Sequence, residues 1–297
     1  MNGHDSTINK LKVLHIYKSF YPDSFGGVEE CIYQLCKSGP EYGFDSDVFT
    51  LSSNPSEGGS IIYNGIKVYQ AKTNGALAST PFSFEAFGKL SKIKDNYDIL
   101  HFHYPYPFAD LLRLFLARRN AAVLTYHSDI VKQKYLKYLY FPIEKWFLNS
   151  FDNIVCTSPT YMATSKNLQR YHNKVECVLL GITENKNEFN LKPNLKFFEF
   201  KGRIPYILFL GGLRNYKGID KLIDAAEHCR VNIIIAGSGP KLPHYQDLVR
   251  KKGLKNVCFT GYLDDVDKSL FLENCLALIL PSTLRSEAFG LVLLEAA

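Results

Sequence analysis

No stretch of this chain is apolar for long enough to cross a bilayer: runs such as 207–210 and 276–280 fall far short of the roughly 20 residues a spanning helix needs. The opening residues, MNGHDSTINKLK, are polar and hold no apolar secretory core, so the expected location is the cytosol. Cysteine is present but unpatterned. The seven (Cys31, Cys36, Cys156, Cys177, Cys229, Cys258, Cys275) are odd in number and scattered, with no CxxC pair and no Cys/His spacing that builds a zinc site. That excludes a disulfide framework and leaves small core thiols in a reducing compartment. A long basic tract with interleaved aromatics is also missing. The net charge of +6 is spread among acids, which indicates no nucleic-acid partner and suits a soluble surface with an anionic small-molecule site. The dinucleotide fingerprint GxGxxG is absent after the first strand.

What the 297 residues do hold is enough apolar surface, 46% of positions, to pack a core in each of two ordinary domains. Short runs of Val, Ile, Leu and Phe alternate with stretches of helical period, the pattern of strand–helix units around a parallel sheet. The fold class is α/β. The spacing predicts strands at 12–17, 47–51, 99–103, 122–126, 153–157 and 175–179, then a second series at 205–210, 232–236, 257–260 and 276–280. Between the series, 184–204 is rich in Asn and Lys and loses apolar period, so it reads as a linker joining domains 1–183 and 205–297. Residues 52–60 and 74–81 read as surface loops.

Several strand ends carry polar or glycine-rich segments. YPDSFGGVEECIYQL sets Gly26 and Gly27 before a helix with apolar Val28, Ile32 and Leu35, which lets backbone N–H groups approach an anion; a plain tight turn fits as well. HFHYPYPFADLL and TYHSDIV put His101, His103, His127 and Asp129 beyond strand carboxyl ends, where an open parallel sheet forms its crevice. The aromatic run 102–108 suits sugar stacking or packing equally. FLGGLRNYKGIDKLIDA brings Arg214 and Lys217 to a strand-to-helix turn, a place for a diphosphate, ahead of apolar Ile219, Leu222 and Ile223. IIIAGSGPK and VCFTGYL repeat the strand-then-glycine pattern. LILPSTLRSEAFGLVLLEAA has Glu287 approaching a helix that starts near Phe289 or Gly290, and Glu295 inside it. A carboxylate there can accept both vicinal hydroxyls of a ribose. Asp45-Ser46-Asp47 spells D-x-D but opens an ordinary strand, and Asp264, Asp265 and Asp267 read as an acidic first helical turn.

In this order and spacing, GGVE, TYHSD, GGLRNYKG, AGSGP and SEAFGLVLLEA resemble the retaining glycosyltransferases of family 4. The resemblance implies the GT-B architecture, two facing Rossmann-like domains, and spans the chain from about residue 12 to its last. It implies that Glu287 and Glu295 are the E-x7-E pair, the first facing the donor sugar and the second the nucleotide ribose. Lys217 is the diphosphate lysine, with Arg214 nearby. Backbone N–H groups around Phe289, Gly290 and Leu291 meet sugar and phosphate oxygens, Gly26 and Gly27 face them from the other domain, and His127 is the histidine beside the transferred sugar. No metal and no cofactor is implied.

The partners implied are a nucleotide-sugar donor, with GDP-mannose as first choice from HYPYPFADLL and TYHSDIVKQK, and a glycan or lipid-linked glycan acceptor in surface polysaccharide synthesis. Basic and apolar residues interleave in 111–119 and 131–147, which predicts peripheral contact with the inner face of a membrane. Two departures stand out. The family's GR-L-x-x-x-K-G has glycine, Gly212, at its arginine position, and the chain ends at Ala297 inside the helix of Glu295, where family members continue. The expectation is an incomplete second domain, with weak stability and activity. The rival readings are a catalytically silent fragment of such an enzyme and a GT-B sugar-nucleotide epimerase, which binds the donor without an acceptor.

Overall fold

The computed structural model describes residues 10–77, 80–116, 120–130, 134–182, 205–285, 287 and 289–297, with backbone only at 134–140. The linker predicted at 184–204 lies outside them, as do Arg118, Arg119 and residues 131–133 of the basic-apolar segments. The chain divides into two compact units, Met1–Leu180 and Gly181–Ala297.

Unit 1 is built on strands β1 (Leu11–Ile16), β2 (Phe44–Ser52), β3 (Ser60–Tyr63), β4 (Ile66–Lys72), β5 (Gly75–Leu77), β6 (Thr80–Phe82), β7 (Ile99–Tyr104), β8 (Ala121–Tyr126), β9 (Asn153–Cys156) and β10 (Val175–Cys177). Its helices are α1 (Gly27–Ser38), α2 (Glu85–Ile93), α3 (Pro107–Phe115), α4 (Lys134–Asn149), α5 (Pro159–Thr164) and α6 (Lys166–Gln169). The main sheet runs β10-β9-β8-β7-β1-β2-β4-β3, parallel except for the β3–β4 pair. Strand alternation sends Leu14, Ile16, Leu100, Phe102, Leu124 and Ile154 into a fully buried layer, where Phe147 and Phe151 meet Phe102 edge-on. Each such side chain contributes about 1.5–3 kcal/mol by leaving water. The single tryptophan, Trp146, is half-buried on α4.

Four strands of unit 1 were not foreseen. Asn64 and Gly65, both at positive φ, turn β3 back into β4, and an Asn-Gly pair between apolar runs is the sequence signal for that hairpin. Within 74–81, predicted as a loop, residues 75–77 and 80–81 instead belong to the antiparallel pair β5–β6.

Unit 2 has one parallel sheet, ordered β13-β12-β11-β14, from β11 (Tyr206–Leu210), β12 (Asn232–Ala236), β13 (Val257–Gly261) and β14 (Ala277–Leu278). Helices α7 (Ile219–Ala226), α8 (Leu242–Lys251), α9 (Asp265–Asn274) and α10 (Leu291–Glu295) accompany it. On α7 the buried residues Ile219, Leu222, Ile223 and Ala226 form one apolar stripe, packed with Phe209, Ile233 and Ile235. On the sheet's other side Leu208, Ile234 and Tyr206 pack with Phe271 of α9.

Candidate functional site

In unit 2 the segments following β11, β12 and β14 meet at the carboxyl ends of three adjacent parallel strands. They approach too closely for side chains at two points. A Cβ on Gly218, whose φ is +70°, would sit 2.0 Å from the Pro281 carbonyl oxygen, and one on Gly237, at φ +128°, would sit 2.1 Å from that of Gly211. These glycines let the loops interlock. Tyr216 accepts a backbone bond from Thr283 at 3.3 Å, and Leu213 bonds to Ser238 at 2.9 Å.

The interlock brings together Lys217 and Glu287, 70 residues apart in sequence by their numbering, as an ion pair of 2.5 Å with both side chains mostly shielded. Ser282 donates to the same carboxylate oxygen at 3.1 Å. Arg214 is exposed, yet its Nε lies 3.9 Å from the point where a Cβ on Gly212 would stand. The arginine displaced by two residues therefore passes over the position that sequence comparison finds lacking a cation. Helix α10 begins one residue later than the Phe289–Gly290 start predicted, with Gly290 as its left-handed cap at φ +78°. Glu295 closes that helix and faces Lys268 of α9 at 3.4 Å. Phe289 and Leu291 flank the cap, both half-buried.

In unit 1, Gly26 caps α1, and the carboxylate of Glu29 folds back over it: a Cβ there would lie 2.6 Å from Glu29 Oε2. Ser19 and Ser24 each donate to Glu29 Oε1 at 2.8 Å. A Cβ on Gly27 would meet nothing within 4 Å among the described residues. The helix start thus already holds a carboxylate of its own beside Gly26, which the reading of two bare glycines did not foresee.

His127 follows β8, is 9% exposed, and is held neutral by burial, which lowers its pKa to about 3. Of His101 and His103, predicted to line a crevice, His103 is buried and His101 is half-buried; desolvation lowers the His101 pKa to about 4 and drives that of His103 well down. Asp129 is a brace: Tyr126 and Ser165 both donate to its carboxylate at 2.8 Å. The aromatic run is packing, since Phe102, Tyr104, Tyr106 and Phe108 are all buried. Asp45 pairs with Lys10 at 3.3 Å, and Asp47 accepts from Tyr97 at 2.5 Å. Asp264 caps α9, accepting from the Asp267 N–H at 2.8 Å, as an acidic first turn should. His15, which sequence reasoning passed over, lies beside His101 and His103, with their ring nitrogens within 4.8 Å of one another. Its only signal is the alternation in KVLHIY.

A family model described as Glycosyltransferase Family 4 matches residues 25–186, and one described as glycosyl transferases group 1 matches residues 192–297. Over 287 residues the chain is 42% identical to O-antigen chain mannosyltransferase C of Escherichia coli, covering 97% of this chain and 77% of that protein. It is 37% identical to the D-rhamnosyltransferase WbpZ of Pseudomonas aeruginosa, covering 97% and 75%. Among solved structures it is similar to Anabaena Alr3699/HepE, crystallised with UDP and glucose, with a TM-score of 0.71 at 17% identity over 96% of this chain and 78% of that one. It is also similar to WaaG, a glycosyltransferase involved in lipopolysaccharide biosynthesis, with a TM-score of 0.67 at 16% identity over 96% and 78%. Family matches that take in both units, and relatives sharing more than a third of their residues along nearly the whole chain, establish that this protein belongs to glycosyltransferase family 4, with the GT-B fold and a transferase activity.

Proposed function

We propose that this glycosyltransferase moves a hexosyl group, mannose from GDP-mannose in the first instance, with retention at the anomeric carbon, onto a hydroxyl of a lipid-linked glycan destined for bacterial surface polysaccharide. The Lys217–Glu287 pair carries the reading, because it sets one cation and one carboxylate at 2.5 Å where the family's motifs hold diphosphate and sugar. The name of the E. coli relative supports O-antigen and mannose. That of the P. aeruginosa relative supports the 6-deoxyhexose rhamnose as the competing choice.

In this reading the chemistry is leaving-group stabilisation. Lys217 turns from Glu287 toward the departing diphosphate, and Arg214 supplies the second positive charge above Gly212. Backbone N–H groups of Phe289, Gly290 and Leu291 take sugar and phosphate oxygens, and Gly26 and Gly27 are donor-binding positions as well. Glu287, released from Lys217, faces the sugar. Glu295 accepts from the ribose hydroxyls through charge-assisted hydrogen bonds. His127 contacts the transferred sugar.

Calorimetry tests the donor site. Losing a charge-assisted hydrogen bond costs about 1.5–3 kcal/mol, so Lys217→Ala and Glu295→Ala should each weaken GDP binding by about tenfold to a hundredfold. Unchanged affinity in both would remove the assignment. Transfer assays with GDP-mannose, GDP-rhamnose and UDP-sugars, with the product's anomeric configuration read by NMR, settle donor and stereochemistry together.

A further inference from the structure

Unit 1 holds a row of imidazoles that the donor motifs leave unexplained. His15 lies on β1, His101 and His103 lie on β7, and His127 directly follows β8. In the register His15 pairs with His101, and His103 with Thr125, so alternation puts all four side chains on one face of the sheet. His15 and His103 are buried, each 1% exposed, with His127 at 9% and His101 partly exposed at the side. His15 Nδ1 lies 3.1 Å from His103 Nε2, and His103 Nδ1 lies 3.0 Å from His127 Nε2. His101 stands beside this chain: it stacks on His103 with centroids 4.6 Å apart, and its Nε2 bonds to Thr125 at 2.7 Å.

Burial keeps all four rings neutral. A neutral imidazole has one N–H and one lone pair. His103 can therefore donate on one side only. If it donates to His127, His15 must donate to it, and every ring carries its proton on Nδ1. If the direction reverses, every ring carries it on Nε2. No mixed arrangement fills both contacts. The far end of the chain chooses: His15 Nε2 is buried without a partner among the described residues. In the reversed arrangement that atom would be an N–H with nothing to accept it, the rarer kind of buried orphan.

We infer that His15 and His103 form a relay that fixes His127 in its Nδ1–H tautomer and presents that N–H as a ready donor to the transferred sugar or its leaving group. The inference rests on the reading that puts His127 beside the donor. His15 and His103 are positioning residues, acting only through the next ring, and they spare His127 a tautomer change as charge develops.

Long-range proton–nitrogen NMR on histidine-labelled protein reads the tautomers directly in the unmodified chain. The expected result is Nδ1–H in His15, His103 and His127. Any of the three protonated at Nε2 would overturn the relay. So would stoichiometric zinc held by these rings, since a ligating nitrogen cannot also bond to its neighbour. His103→Leu should free His127 to change tautomer and lower kcat by about tenfold, with the donor KM moving by no more than about threefold. His103→Asn, whose amide can still donate toward His127, should recover part of that loss. Ordered tautomers with an unchanged kcat in His103→Leu would overturn the relay's part in transfer, while leaving the Lys217 and Glu295 binding test standing.

Discussion

Gly212 and Arg214 show how a departure at one position can be met from another. Gly212 has an ordinary backbone conformation, and the nearest atom to a Cβ added there would be Arg214 Nε at 3.9 Å, so a side chain fits once Arg214 is shortened. Arg214→Ala should therefore weaken GDP binding by about tenfold, the worth of one charge-assisted contact. Adding Gly212→Arg in that background should restore it. Calorimetry on the single and double variants checks both, and a double variant as weak as the single would show that the two positions do not reach the same anion.

At the scale of elements, the sequence was most readable where burial is two-sided. β11, β12, β7 and β8 were found within a residue or two because fully buried parallel strands read as unbroken apolar runs. β5 and β6 were missed because their three-residue strands hold Gly75, Thr80 and Pro81, which carry a loop's composition. The Lys217–Glu287 approach was legible only as a family motif, since what creates it is the contact of Gly218 with Pro281 across distant loops. His101, His103 and His127 were legible as strand-end candidates, but His15 and the alignment of the four were not, because strand register, which no local pattern reveals, sets it.

The β5–β6 pair also carries a surface consequence. Leu77 at the end of β5, Phe84 beyond β6 and Phe115 at the end of α3 are each more than 70% exposed, and α3 packs beside β6. Large apolar side chains left in water on neighbouring elements suit an interfacial membrane contact. No helix among the described residues is long and apolar enough to span one. Co-sedimentation with anionic liposomes at low salt should capture the protein, and Phe84→Asp with Phe115→Asp should abolish that capture. Equal pelleting of the double variant would place the contact elsewhere.

For the molecule as a whole, the buried histidines make unit 1 the acid-sensitive half. Their folded pKa values lie below the ordinary 6.5, at about 4 for His101 and about 3 for His127, and are also lowered in His15 and His103. The unfolded chain therefore binds more protons below about pH 6.5, so the stability these rings contribute is complete above that value and is lost as pH falls. Each gives a slope of up to about 1.4 kcal/mol per pH unit. Asp110, pushed up by burial, acts in the opposite sense and offsets part of that slope. A net slope of even about 1–2 kcal/mol per unit would consume a large part of an ordinary domain stability of about 5–15 kcal/mol within a few units. Urea midpoints for unit 1 should fall sharply between about pH 7 and pH 5, and a flat profile would mean that the rings are solvated in solution.

Following that transition separately is practicable because Trp146 belongs to unit 1 and is the only tryptophan in the sequence. Its indole fluorescence is an intrinsic optical label confined to one half of the protein. Excited at the red edge, where tyrosine does not absorb, its emission maximum would track that half alone, and any circular-dichroism change without a matching emission change would belong to the other.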